Sequence, residues 1–339
     1  MSTLTLEKPK CGSRLEEVLA RGNFAVIADL EPPRSADAEA VIAKARNMAA
    51  MVDAIVVKDN PGAVVSMSPI AAGLCALRAG IEPVIQVSCR DRNRIAIRSD
   101  LLGACALGLK NVVCLSGDHQ SLGEHPSSKN VYDVDSIQLI GMLAEMRDGG
   151  AVRQLTSGAV RQPALGAAPG GARNPLSADM AAGLKLLIGG HENPCGDPLE
   201  LRVIRLAKAA AAGADFILTT WIHDVERFME YMRLIRDRGL HRQVKILAGI
   251  ALPGLPGKTA GARGLRMGHS LSETYRARLE NAKDRMAEGV NIYIEQIRLL
   301  REIEGVAGIY LTADEPPERI EEIMKGAGLL PRPESGRTP

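Results

Sequence analysis

The sequence of 339 residues is poor in aromatic side chains, with three Phe, one Trp and five Tyr. Surfaces that stack on nucleic-acid bases are therefore not expected. The formal net charge of +2 gives no basic patch for nucleic acid or for an anionic membrane. No apolar run approaches the length that spans a bilayer. These absences exclude nucleic-acid-binding and membrane-spanning classes, and the core must consist of Ala, Leu, Ile, Val and Met.

Metal-binding spacings are also missing. No two of the six cysteines stand in a Cys-x-x-Cys pair, and four lie in apolar strand or helix patterns, which favours buried, reduced thiols. The histidines do not cluster either: His191 and His269 are assigned to loops, and His223 follows a strand. We therefore predict no metal site. Residues 1–23 are polar and charged without an apolar leader, which predicts a cytoplasmic protein.

Strand and helix patterns alternate along the chain. The predicted strands are 24–31, 53–58, 82–89, 111–116, 164–168, 215–222, 244–252 and 307–312. Strands that alternate with helices imply parallel strands joined by right-handed crossovers. About eight such repeats favour an α/β fold of the (β/α)₈ TIM-barrel type over an open sheet.

The domain prediction is one barrel with short additions. Residues 1–22 form an N-terminal helical extension, 23–330 form the barrel, and 331–339 are a disordered tail. Two segments rich in Gly and Pro interrupt the alternation, at 169–198 after strand 5 and at 253–281 after strand 7. Since both follow strands, they are either part of the barrel mouth or plain surface insertions.

Three carboxylates stand where parallel strands end, which is where ligands bind in such folds. Asp29 and Glu31 close the first strand, and the period of two puts them on one side. Two neighbouring carboxyl groups suit general acid catalysis, although a solvated strand end is the simpler explanation. Asp118 follows Gly117 after the fourth strand. It could bind the amino-pyrimidinone edge of a pterin or polarise a flavin, but Gly-Asp is also a common turn.

Other polar groups admit a functional and a purely structural interpretation. Arg90, Arg92 and Arg94 begin a helix, and they either bind phosphate or carboxylate groups or form an ion-paired rim around the mouth. Lys58 ends the second strand. It acts either as a base or phosphate ligand, or it is a solvated loop residue without a functional role. Trp221 either floors a pocket for a flat ring or packs in the core. No Rossmann or P-loop motif is present.

Several segments together resemble the methylenetetrahydrofolate reductase family over residues 14 to 330. They are Asp29-Leu30-Glu31-Pro32-Pro33, Asp59-Asn60-Pro61, Cys89-Arg90-Asp91-Arg92-Asn93-Arg94, Ser99-Asp100-Leu101-Leu102-Gly103-Ala104, Leu115-Ser116-Gly117-Asp118, Tyr132-Asp133-Val134-Asp135, Ala212-Gly213-Ala214-Asp215-Phe216 and Gly308-Ile309-Tyr310. The Arg-Asp-Arg-Asn-Arg run with the later Gly-Asp is the most specific part.

The resemblance implies a flavin-bearing barrel that reduces 5,10-methylene-tetrahydrofolate to 5-methyl-tetrahydrofolate, with FAD preferred over FMN. The electrons would come from NADH or NADPH or from an electron-transfer protein, and a homo-oligomer or a small partner subunit is expected. The implied catalytic residues are Asp29, Glu31 and Asp118, and the implied folate contacts are Glu31, Asp118 and Thr220. The implied flavin contacts are Lys58, Gln86, Ser116, Gly117, Asp118, Tyr132, Asp133 and Lys208.

The chain departs from the family pattern at several of these positions. The catalytic glutamate aligns with Asp29, so either Asp29 or Glu31 is the acid. This chain has Lys58 where the family has a threonine, Gln86 where it has a histidine and Thr220 where it has a glutamine. A basic residue of the family aligns with Ala209, which is next to Lys208. Two other functions therefore stay open. One is a methyltransferase-type barrel that binds methyl-tetrahydrofolate and acts with a corrinoid protein, and the other is a non-catalytic partner subunit.

Overall fold

The computed structural model describes residues 9–148, 183–250, 273–311 and 316–334. Within them, eight parallel strands close into a barrel in which each strand pairs with the next and the last pairs with the first. The strands are β1 (Ala25–Leu30), β2 (Ala54–Val57), β3 (Pro83–Ser88), β4 (Asn111–Leu115), β5 (Leu187–Glu192), β6 (Phe216–Trp221), β7 (Lys245–Ile250) and β8 (Val306–Leu311). The (β/α)₈ barrel prediction is confirmed.

Helices alternate with the strands around the outside of the barrel. They are α1 (Arg14–Ala20), α2 (Ala38–Met48), α3 (Pro69–Arg78), α4 (Arg94–Ala106), α5 (Ser136–Arg147), α6 (Leu199–Ala212), α7 (Val225–Asp237), α8 (Glu273–Asn281), α9 (Arg285–Glu302) and α10 (Pro317–Gly326). In the described ranges, no helix combines the length and the apolar character needed to cross a bilayer.

The predicted position of the fifth strand is wrong. Residues 164–168 lie outside the described residues, and the strand between β4 and β6 is Leu187–Glu192. The predicted insertion at 169–198 contains this strand. Its Gly- and Pro-rich residues before Leu187 therefore precede the fifth strand and do not follow it. Of the predicted insertion at 253–281, the structure describes only α8 and so tests little of it.

Apolar side chains fill the barrel on both sides of the strands, as expected for parallel strands that are covered by helices. One cluster lies between the strands and the helices. A second lies inside the barrel and comprises Ala25, Ile27, Ala54, Val56, Val84, Val113, Leu187, Phe216, Leu218, Leu247 and Tyr310, with Leu15, Val18 and Leu19 of α1 packed against it. Helix α1 therefore closes the amino-terminal end of the barrel, and the carboxyl ends of the strands form its mouth.

The two ends of the described chain meet at the closed end of the barrel. The buried Asp53 carboxylate pairs with the guanidinium groups of Arg332 and Arg14. Arg14 Nη2 also donates to the carbonyl oxygen of Pro333 at 3.3 Å. The described part of the predicted tail, residues 331–334, is thus attached to the barrel, while 335–339 lie outside the described residues.

Candidate functional site

Two carboxylates and one ammonium group lie together at the mouth. Lys58 follows β2, and its Nζ lies 2.5 Å from Oδ2 of Asp29 and 3.9 Å from Oε2 of Glu31. Asp29 is the last inward-facing residue of β1 and is buried, whereas the Glu31 side chain is 34% exposed. The sequence pattern therefore placed Asp29 and Glu31 correctly relative to each other, and the structure brings Lys58 between them.

An aromatic pair lines the same mouth. The rings of Trp221 and Tyr310 lie 5.1 Å apart between centroids and are tilted by 30°. Trp221 turns inward because a bulge between Leu218 and Trp221 shifts the register of β6. It is only partly buried, so of its two interpretations the structure favours the pocket wall. Burial and the nearby Asp29 charge raise the pKa of Tyr310 well above its usual value, so this wall is uncharged.

The loop after β4 holds Asp118 in place from two sides. Its Oδ2 accepts a hydrogen bond from the Gly62 backbone N–H at 2.8 Å, and its carbonyl oxygen accepts one from Arg90 Nη1 at 2.9 Å. Gly117 before it has φ +85°, a conformation that glycine adopts without strain. Asp118 itself is exposed. The loop after β2 thus carries Lys58 at one end and fixes Asp118 at the other.

The three arginines form an ion-paired rim. Arg90 makes a two-point contact with Asp91, with Nε–Oδ1 and Nη2–Oδ2 distances of 2.7 Å. Arg92 pairs with the buried Asp59 and lies 3.3 Å from Asp100, and Arg94 makes a two-point contact with Asp133. The Arg94 hydrogen bonds lower the pKa of Asp133. The guanidinium groups thus fix the loops after β2, β3 and β4, which favours the rim over phosphate binding.

Four more predicted residues line the mouth. Gln86 of β3 points into the barrel, and its Oε1 lies 3.4 Å from the Asp59 backbone nitrogen. Ser116 and Gly117 begin the loop that carries Asp118, and the Ser116 carbonyl oxygen lies 3.4 Å from Ser88 Oγ. Thr220 Oγ1 donates to Asn193 Oδ1 at 3.1 Å. These groups give the mouth a ring of amide, hydroxyl and carbonyl hydrogen-bonding partners.

The other predicted contacts lie farther out. Tyr132 is exposed with φ +39°, and its N–H donates to the Cys89 carbonyl oxygen. Asp133 is engaged by Arg94 on the rim. Lys208 is exposed on α6, ten residues after the Pro198 cap that begins this helix near the mouth. A helix rises about 1.5 Å per residue, so the structure does not bring Lys208 to the mouth.

Sequence reasoning missed His191, which lies on β5 and not in a loop. Leu187, Gly189 and His191 share one face of the strand, and this period-two signal was hidden by the two glycines. Burial lowers the pKa of His191 to about 4, although the Asp118 charge raises it in part. An inward-facing, neutral imidazole therefore lies at the mouth beside Asp118.

Glu192, the next residue, faces the opposite side of β5. It is 4% exposed, and its Oε2 lies 3.6 Å from Arg205 Nε on α6. Burial raises its pKa to about 7 against the opposing charges of Arg205 and Arg202. This pairing directs the side chain toward α6, so Glu192 is a buried acid behind the site. Across the described ranges, no group of His, Cys, Asp and Glu is arranged to hold a metal ion.

Comparisons with known proteins bear on the sequence and on the barrel fold. The family model described as methylenetetrahydrofolate reductase matches residues 14–152 and 191–328. No curated protein matches the sequence. A solved structure described as an uncharacterized protein from Clostridium thermocellum that binds two copies of 5-methyl-5,6,7,8-tetrahydrofolic acid is similar at 13% identity and TM-score 0.55, over 92% of this chain and 97% of that one. Tryptophan synthase from Mycobacterium tuberculosis is similar at 12% identity and TM-score 0.48, over 95% of this chain and 100% of that one.

Proposed function

Because the chain belongs to the methylenetetrahydrofolate reductase family, and its function is therefore folate-related, we propose that it reduces 5,10-methylene-tetrahydrofolate to 5-methyl-tetrahydrofolate at the barrel mouth. The reaction opens the five-membered ring of the substrate. The leaving nitrogen takes a proton as its C–N bond breaks, and the resulting iminium carbon accepts a hydride. The site must therefore supply a proton, orient the pterin and accommodate a hydride donor.

The contact of Lys58 with both Asp29 and Glu31 carries this proposal. Asp29 is buried and its oxygen lies against the ammonium group, whereas Glu31 is farther from that group and a third exposed. A group that gives up a proton in each turnover must be able to recover one from solvent, and Glu31 has that access. We therefore assign the proton to Glu31, with Asp29 and Lys58 as the charges that position it.

Asp118 is suited to hold the pterin. A carboxylate accepts paired hydrogen bonds from the ring N–H and exocyclic amino group of an amino-pyrimidinone. The Gly62 N–H donates to this carboxylate, and the Arg90 guanidinium donates to the backbone carbonyl of the same residue. The orientation of Asp118 is therefore set before a ligand arrives. The uncharged Trp221–Tyr310 pair provides an apolar wall for the flat ring.

A flavin fits the remaining groups of the mouth. Gln86, Ser116 and Gly117 offer hydrogen bonds of the kind that a flavin ring uses. Beyond them, the side-chain oxygens of Gln120 and Asn130 are buried, and no described residue donates a hydrogen bond to them. Buried acceptors are normally paired, and the hydroxyl or amino groups of a flavin nucleotide are suitable donors. Lys208 adds nothing to this fit, because its position on α6 lies away from the mouth.

A bound flavin would supply the hydride, and NADH, NADPH or an electron-transfer protein would reduce the flavin again. Two measurements on the purified full chain test this part. Its absorption spectrum reports bound flavin, and oxidation of 5-methyl-tetrahydrofolate with an artificial electron acceptor reports the reverse reaction. Flavin absorption with turnover supports the proposal. Folate binding without flavin after reconstitution attempts with FAD and FMN would overturn the reductase activity.

Glu31→Gln tests the proton assignment. Turnover should fall roughly 10²- to 10⁴-fold, the usual contribution of general acid catalysis, while the Kd for 5-methyl-tetrahydrofolate changes less than about threefold. Glu39→Gln, which removes an exposed carboxylate in the first turn of α2, is the matched control. Equal turnover in the two variants would remove the assignment of Glu31.

Asp118→Asn tests pterin recognition separately. Binding of 5-methyl-tetrahydrofolate should weaken about 10- to 100-fold, as expected when a charge-assisted hydrogen bond is lost. Asp237→Asn, a change of the same kind at the exposed end of α7, should leave the Kd near that of the unmodified protein. If Asp118→Asn binds as tightly as Asp237→Asn, then Asp118 does not hold the pterin.

A further inference from the structure

His191 occupies the inner face of β5 directly above the packed interior of the barrel. Two residues earlier, a Cβ on Gly189 would overlap the ring of Phe216. That ring therefore fills the interior at the level of Gly189, and it belongs to the apolar cluster that continues down to α1. Because side chains on one face of a strand recur every second residue, His191 lies one level higher, at the floor of the mouth.

The described neighbours of His191 on the two adjacent strands are apolar. Leu218 is its register partner on β6, and Leu115 is its neighbour on β4, since Cys114 pairs with Gly190. The carboxylate of Asp118, in the loop that follows the adjacent strand β4, acts on the ring through its charge. No hydrogen bond to the imidazole comes from any residue that the structure describes. The ring thus offers one donor and one acceptor at the floor of the cleft.

This combination is selective for a particular ligand chemistry. A flat heterocycle with ring nitrogens, exocyclic oxygen and amino groups needs both donors and acceptors, set among apolar walls. Asp118 supplies acceptors only, whereas a neutral imidazole supplies one of each kind. We propose that the imidazole of His191 hydrogen-bonds the pterin ring of the bound folate, beside Asp118, an inference that rests on the proposed folate site.

The sequence contains a built-in probe for this test. Trp221 is the single tryptophan of the chain, and its ring lies at the mouth against Tyr310. Quenching of its fluorescence by 5-methyl-tetrahydrofolate, corrected for absorption by the ligand, gives a Kd without any need for turnover or for a bound flavin. Unfolding in urea, monitored by circular dichroism, shows in parallel whether each variant is folded.

Three substitutions separate hydrogen bonding from packing. His191→Leu keeps a side chain of similar bulk without ring nitrogens, and it should weaken binding about 10- to 100-fold. His191→Asn and His191→Gln place an amide near the positions of Nδ1 and Nε2 respectively. One of them should recover most of the affinity and so identify the nitrogen that contacts the ligand. His241→Leu, outside the mouth in the turn before β7, should leave the Kd unchanged.

The outcomes are distinct. Saturable binding by the unmodified protein with a Kd that is unchanged in all three variants overturns the role of His191 and leaves the folate site standing. Equal weakening in all three, with lowered stability, assigns His191 to packing and also overturns the proposal. No saturable binding by the unmodified protein overturns the proposed folate site together with this inference.

A direct measurement covers the case in which His191→Leu does not fold. In protein labelled with ¹⁵N in the histidine rings, 5-methyl-tetrahydrofolate should shift one ring-nitrogen resonance that is absent from the spectrum of His191→Gln. A packing role would leave the hydrogen bonding of that nitrogen, and thus its resonance, in place. Absence of the shift under saturating ligand overturns the proposal.

Discussion

The Nζ atom of Lys58 lies 2.5 Å from Oδ2 of Asp29, and the two side chains are 18% and 4% exposed. A pair this enclosed has given up most of its hydration, so removing one partner leaves a charge that water does not reach well. This relationship links the folding of the mouth to its chemistry, because the same ammonium also lies near Glu31.

Lys58→Met should therefore destabilise the protein by about 3–5 kcal/mol, the range for breaking a buried ion pair. The double variant Lys58→Met/Asp29→Asn should recover a large part of that loss, since neither charge then remains. Urea unfolding of the two single variants and the double variant gives the coupling energy. Lys44→Met, on the exposed face of α2, should change stability by less than about 0.5 kcal/mol. Equal effects of Lys58→Met and Lys44→Met would contradict the assignment of a strong pair.

Gly117 and Gly80 form a matched pair for testing the Asp118 loop. Both have φ +85°, but a Cβ on Gly80 meets nothing within 4 Å, whereas a Cβ on Gly117 would overlap Ser88 Oγ. Gly80→Ala should cost about 1–2 kcal/mol, from the left-handed backbone alone. Gly117→Ala should cost roughly 1–3 kcal/mol more from overpacking. It should also weaken binding of 5-methyl-tetrahydrofolate, because Asp118 would move.

Urea unfolding and Trp221 quenching of both variants check this prediction. If Gly117→Ala and Gly80→Ala lose the same stability and bind the folate equally well, the close packing of Gly117 on Ser88 does not set the loop.

The buried acid behind β5 predicts a pH dependence. Burial raises the pKa of Glu192 from 4.5 to about 7. Between those pH values the folded protein keeps a proton that the unfolded chain releases, so the contribution of Glu192 to stability falls as pH rises. Glu192→Gln should remove this dependence. Relative to the unmodified protein, the variant should gain up to about 3 kcal/mol of stability between pH 5 and pH 8.

The measurement is the difference in unfolding free energy between the variant and the unmodified protein at each pH, which cancels the titration of other groups. Glu200→Gln, an exposed change on α6, should give a difference that does not vary with pH. A constant difference for Glu192→Gln would show that the carboxyl titrates normally.

The sequence was sufficient for most of the barrel because its strands are continuous apolar runs between helical patterns. The fifth strand was an exception for a physical reason. Gly189 and Gly190 disfavour a strand by propensity, but a Cβ at either position would overlap the side chain of Phe216 or Ile217. Packing against side chains of another strand therefore requires small residues at these two positions. The sequence pattern of one strand does not show which side chains of its neighbours occupy the adjacent space.

The sequence predicted the positions of the carboxylates in the candidate site but not the contacts between its loops. The positions of Asp29, Glu31 and Asp118 follow from where strands end. The pairing of the arginines with Asp59, Asp91 and Asp133 required knowing which loops are neighbours, and so both interpretations of the arginine run fitted the sequence. The inward direction of Trp221 depends on a bulge in β6, which local composition does not indicate.

The contact of Arg14 with Pro333 and Arg332 with Asp53 has a practical consequence for working with this protein. Arg14 and Pro333 both lie beneath the barrel, on the face away from the ligand entrance. An immobilisation linker attached beside either of these residues would leave that entrance unobstructed, and a surface-tethered sample could be titrated with folates without steric interference from its anchor.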